Sequence, residues 1–91
     1  MTRVEKIRAA LELAITPQRL VIEDESHKHA GHAGAATGRG HFRVEIVAES
    51  FTGETLLARH RRVYEALSEL MQTDIHALSL RARTPAEVAA S

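Results

Sequence analysis

The stretch His41-Phe42-Arg43-Val44-Glu45-Ile46-Val47-Ala48 decides how this chain folds. Phe42, Val44, Ile46 and Ala48 alternate with Arg43, Glu45 and Val47. Successive side chains of a strand point to opposite faces, so this period of two predicts a strand with one buried face. The rest of the chain must supply what covers that face.

Upstream, Leu20-Val21-Ile22 is a short β-branched run ending in the acidic cluster Glu23-Asp24-Glu25, which reads as a strand leaving the core for solvent. Before it, Thr2-Arg3-Val4-Glu5 has capping-box spacing, and Val4, Ile7, Leu11 and Ala14 recur at helical intervals until Thr16-Pro17 ends the run. Between the two strands, residues 26 to 40 contain Gly31, Gly34, Gly38 and Gly40 with His27, His29 and His32, and no large apolar side chain. Nothing there offsets chain entropy, so a long flexible loop is predicted.

Downstream, Ser50-Phe51-Thr52-Gly53 is a turn, followed by a helix to about Met71 with Leu56, His60, Val63, Leu67 and Leu70 on one stripe. Ile75 to Arg83 alternates again, with His76, Leu78, Leu80 and Ala82 assigned to one face and Ile75, Ala77, Ser79 and Arg81 to the other. Thr84-Pro85-Ala86-Glu87 joins an N-cap threonine, proline at the first helical position and a capping-box glutamate, which starts a short last helix. The predicted fold is α+β, in the order α-β-β-α-β with a short C-terminal helix. One single domain over residues 1–91 has a three-stranded mixed sheet covered by helices on one face. The first two strands pair as an antiparallel hairpin and the last returns by a parallel crossover.

Composition narrows the function. The 91 residues hold 12 basic and 12 acidic side chains, so no net charge marks a nucleic-acid or membrane binder and any such surface must be local. The absence of cysteine rules out disulfides, catalytic thiols and thiolate metal sites made by this chain alone. No apolar run approaches the about 20 residues that cross a bilayer. With no targeting signal at either end, no membrane partner is expected and the expected location is cytoplasmic. No phosphate-binding glycine loop or nucleophile elbow is present, so the chain is expected not to be an enzyme.

Three places carry polar chemistry. His27, His29 and His32, with His41 at the loop's far end, can converge on a metal ion or simply be solvated. His76 occupies a position on an apolar strand face and needs a polar partner there or serves as a ligand. Arg59-His60-Arg61-Arg62 is a basic knot that either grips phosphates or forms a salt-bridged face with Glu65 and Glu69, His60 itself falling on the apolar stripe.

Taken together, Glu25-Ser26-His27 before the glycine-rich loop, His41-Phe42 opening a strand, Phe51-x-Gly53, Arg59-His60-Arg61, Val63-Tyr64 and Ile75-His76-Ala77-Leu78-Ser79-Leu80 before Thr84-Pro85 closely resemble the BolA family. The resemblance runs from about residue 4 to residue 88. It implies an arrangement similar to the class II KH fold, and a heterodimer with a monothiol glutaredoxin. In that heterodimer a bridging [2Fe-2S] cluster is shared with the glutaredoxin cysteine and glutathione, in iron-sulfur trafficking or iron regulation; no cofactor is implied for the chain alone. His76 is then one ligand, and the second comes from among His29, His32 and His41. Imidazole ligation of such an iron has a precedent in Rieske centres. The family's second reported role, a DNA-binding transcriptional regulator, would use Gly53, Arg59, His60, Arg61 and Arg62. This chain departs from a GxxG clamp, having Gly53-Glu54-Thr55-Leu56 in its place.

Overall fold

The computed structural model describes residues 1–29 and 38–91. Thr2 Oγ1 accepts from the Glu5 amide at 3.1 Å and Glu5 Oε1 from the Thr2 amide at 2.7 Å. From this reciprocal cap α1 runs Arg3–Ile15, burying Ile7, Leu11 and Ile15. Ala14, assigned to the stripe in sequence, is exposed, because 3.6 residues per turn carry the buried line on to Ile15.

Strand β1 (Arg19–Asp24) pairs antiparallel with β2 (Gly40–Val47), Ile22 opposite Val44 and Leu20 opposite Ile46. Between them Ser26–His29 forms a 3-10 turn; the rest of the expected loop, 30–37, lies outside the described residues. After β2 a second 3-10 turn, Glu49–Phe51, buries Phe51 completely, and Gly53 takes a left-handed φ of +84° that favours glycine. Thr55 Oγ1 accepts from the Ala58 amide at 3.1 Å and starts α2 (Leu56–Ala66).

The predicted single helix to Met71 is two pieces: α2 ends at Ala66 and a turn leads into α3 (Leu70–Thr73). The break lets Leu67 stay fully buried while Leu70 and Met71 pack against the same core and the chain reaches β3 (Ile75–Arg83) two residues after α3. Helix α4 (Pro85–Ala90) follows with Thr84 and Glu87 as its capping box.

The sheet order is β1-β2-β3, with β2 and β3 parallel, so the sheet is mixed. Phe42, Val44, Ile46, Ile75 and Ala82 meet Ile7, Leu11, Val63, Leu67 and Phe51 in one apolar core beneath the helices. Burying each large side chain contributes about 1.5–3 kcal/mol. Among the described residues, no helix is long and apolar enough to cross a membrane.

Candidate functional site

The register of β2 against β3 contains one irregularity, and it makes the site. Gly40 pairs with Ile75 but His41 pairs with Ala77, leaving His76 as an extra residue. Such a bulge re-aims a side chain. Ile75 therefore faces the core, fully buried, and His76 is exposed. Both sequence assignments, His76 among the apolar residues and Ile75 on the opposite face, are overturned by that one inserted residue. From Leu78 onward the alternation is as read, with Leu78, Leu80 and Ala82 opposite Phe42, Val44 and Ile46.

The bulge brings His76 to His41, with ring centroids 5.3 Å apart and planes tilted by 46°. The backbone around His41 is held from the first hairpin: its amide donates to Ser26 Oγ at 3.1 Å and its carbonyl accepts from the Glu25 amide at 2.8 Å. Asp24 Oδ1 accepts from the Ser26 amide at 2.9 Å. A shallow groove of about 250 Å³ beside this pair is lined by Glu25, His41, Phe42, Ala77, Leu78 and Ser79. Gly40 is required at the bulge, since a Cβ there would lie 2.6 Å from Ser26 Oγ and 2.8 Å from the Phe42 ring.

Asp74, which the sequence reading passed over, anchors the same corner from below. It is buried, and its Oδ2 accepts from Lys6 Nζ at 3.2 Å and Arg3 Nε at 3.4 Å, while its carbonyl accepts from the Gly40 amide at 2.8 Å. The Thr73 hydroxyl first, then Lys6 and Arg3, hold its carboxyl below the ordinary range against the opposing effect of burial. Arg3 Nη2 also donates to the Gly38 carbonyl at 2.6 Å, so α1 and the start of β2 are tied to the residue two before His76. A charged residue between the end of a helical stretch and the start of a strand was the available signal.

Of the other histidines, His29 closes the 3-10 turn after β1, whereas His32 lies outside the described residues. Among the described residues, no group of three or more His, Asp or Glu side chains is arranged to hold a metal ion. His41 and His76, among the described residues, offer a pair of imidazoles and not a complete shell.

The basic knot is dispersed. Arg59 is 5% exposed, and its guanidinium donates to Glu87 Oε1 at 2.6 Å, Glu87 Oε2 at 3.1 Å and the Ala82 carbonyl at 3.2 Å, with Nε on the Glu54 carbonyl at 3.1 Å. These bonds from Arg59, then the Thr84 amide, lower the Glu87 carboxyl to about 2. Arg62 bridges Glu54 Oε1 at 2.5 Å and the Ser50 carbonyl at 3.1 Å, and sits over the Phe51 ring at 5.2 Å. The anticipated pairing of Arg62 with Glu65 and Glu69 is replaced by this tie to the turn before α2. Arg61 is exposed, His60 is half-buried, and Gly53 is exposed in its turn. Glu87 was legible as a cap but not as the partner of Arg59, because the two are 28 residues apart.

The comparisons with known proteins agree with this architecture. The profile of the BolA-like protein family matches residues 11–87. BolA-like protein 1 of Mus musculus is 48% identical over 81 residues, 89% of this chain and 57% of the mouse protein. The chain thus spans little more than half the length of that curated relative. The DNA-binding transcriptional regulator BolA of Escherichia coli (strain K12) is 41% identical over 80 residues, covering 88% of this chain and 73% of that one. The structure of BolA1 from Arabidopsis thaliana superposes with a TM-score of 0.82 at 40% identity, over 96% of each chain. With the helix order, the mixed sheet and the profile match in accord, this chain belongs to the BolA-like protein family.

Proposed function

We propose that the chain is a non-enzymatic binding partner of a monothiol glutaredoxin and that it contributes imidazole nitrogen to a [2Fe-2S] cluster bridging the two proteins. The observation that carries this reading is the bulge that turns His76 out of the core into solvent and sets its ring 5.3 Å from that of half-buried His41. A bulge weakens the local ladder, and it serves here to present a histidine that regular pairing would have buried. The donor set fits a shared cluster: the chain has no thiolate, and a pair of imidazoles is half of the ligation in a Rieske-type centre. The cluster would supply electron-accepting iron; the partner and glutathione would supply sulfur. His76 is the fixed ligand of this reading, and His41, His29 and His32 compete for the second position.

The reading is tested by assembling the chain anaerobically with a monothiol glutaredoxin, glutathione, iron and sulfide and recording visible absorption and circular dichroism. A spectrum distinct from that of the glutaredoxin alone, lost in His76→Ala, is expected. A spectrum unchanged by adding this chain would remove the proposal.

A second reading, a DNA-binding transcriptional regulator, is favoured by the name of the Escherichia coli relative. Arg61 and the exposed turn at Gly53 are then the groups available to phosphates, Arg59 being enclosed. A duplex-binding isotherm with no salt dependence beyond that of an unrelated neutral protein would dismiss it.

A further inference from the structure

The outer edge of β3 forms a second surface, separate from the histidine pair. The Arg83 carbonyl accepts from the Ala48 amide, so the backbone of Arg83 and, by alternation, of Arg81, Ser79 and Ala77 is turned toward β2. Leu78, Leu80 and Ala82 then present their amides and carbonyls to the opposite side, where β3 ends the sheet. Two of these three carbonyls are covered from α2: Leu78 by the Tyr64 hydroxyl at 3.4 Å and Ala82 by Arg59 at 3.2 Å. Among the described residues, no such bond reaches the Leu80 carbonyl between them.

At that gap lies a groove of about 400 Å³ lined by Leu56, His60, Leu80, Ala82, Arg81 and Arg83, with Glu87 at its rim. Leu56 is 63% exposed and Leu57 beside it 61%, so this is the apolar end of α2 left open to solvent. The Glu87 carboxylate is already held by Arg59 and the Thr84 amide, and Arg83 lies 3.7 Å from Glu45, so exposed Arg81 supplies the groove's positive charge.

We propose that this edge binds an extended segment of a partner protein by strand addition, and that the segment alternates apolar with acidic side chains. The alternation follows from the edge itself. A strand added beside Leu80 sends every second side chain toward the helix layer, against Leu56, His60 and Leu80, and the intervening ones toward the open sheet face, beside Arg81 and Arg83. Backbone pairing at Leu80 supplies affinity and the two faces supply the pattern. Open strand edges are ordinarily blocked by charge, proline or cover, and here the cover stops short at one residue.

The test uses the full chain and a capped seven-residue peptide alternating valine and glutamate, followed by amide chemical shifts and hydrogen exchange. The amides of Leu78, Leu80 and Ala82 should shift and exchange more slowly, and a peptide of the same composition with valines and glutamates in separate blocks should bind at least about tenfold more weakly. Arg81→Glu, an exposed change, should weaken the alternating peptide by a similar factor and favour one alternating valine and lysine, with the far-ultraviolet spectrum unchanged. Equal binding of blocked and alternating peptides would overturn the proposal. So would a single-stranded oligonucleotide that occupies the same amides in preference to the peptide, or protection of those amides by self-association without any peptide.

Discussion

The two polar clusters that stand out in the sequence are treated in opposite ways at the two ends of β3. At its start, His76 is turned outward by a bulge and meets half-buried His41. At its end, Arg59 is drawn inward to hold Glu87 and the Ala82 carbonyl. A buried guanidinium is tolerated when its donors find partners, and four bonds to carboxylate and carbonyl oxygens engage four of its five N–H groups here. At the Arg59 end of the strand, then, polar side chains stabilise the fold, whereas at the other end exposed His76 stands beside His41, where the proposed function places the partner.

The sharpest way to break the comparison is to remove the inward arginine. Arg59→Ala uncovers the Ala82 and Glu54 carbonyls and removes the guanidinium that lies over Phe51, its carbon 5.9 Å from the ring centre. A loss of about 2–3 kcal/mol is expected in urea unfolding. Next comes the hinge of the outward end: Gly40→Ala forces a Cβ against Ser26 Oγ and the Phe42 ring and should cost about 1–2 kcal/mol while shifting the His41 and His76 resonances.

A pH series sharpens the contrast further. The Glu87 carboxyl is lowered from 4.5 to about 2 by Arg59 and the Thr84 amide. A carboxylate with a depressed folded-state value adds stability in full above its unfolded value and loses it as pH falls toward the folded one. Unfolding monitored from pH 5 to pH 2 should therefore steepen in the native chain relative to Glu87→Gln, and matching curves would contradict the latch. The smallest effects belong to the surface. His76→Ala and Arg61→Ala should each change stability by less than about 0.5 kcal/mol, and a larger change in thermal unfolding would mean that these side chains are structural after all.

The regular parts of the molecule were legible because their patterns are local. The caps at Thr2 and Thr84, the alternation from Phe42 to Val47 and the short last helix all follow from neighbours within four residues. The bulge at His76 was not, since the stretch from Ile75 to Arg83 alternates convincingly on its own and only pairing with β2 reveals the extra residue. The enclosure of Arg59 was hidden for the same reason: its partner comes from a helix beyond the last strand. Sequence thus named His41 and His76 as candidates while placing His76 on the wrong face. It left Arg59, Arg61 and Arg62 open between a phosphate grip and a salt-bridged face, and steps of about 100° along the helix send the three to different surroundings.

The central claim, that the outward histidine serves a shared iron-sulfur cluster, is tested most directly by pulsed electron paramagnetic resonance on the reduced heterodimer with a monothiol glutaredoxin. This chain alone would carry nitrogen-15 histidine. Hyperfine coupling to labelled imidazole nitrogen, reduced in His76→Ala and also altered in His41→Ala if that residue is the second ligand, is the predicted result. A cluster signal without coupling to any labelled nitrogen would contradict the account.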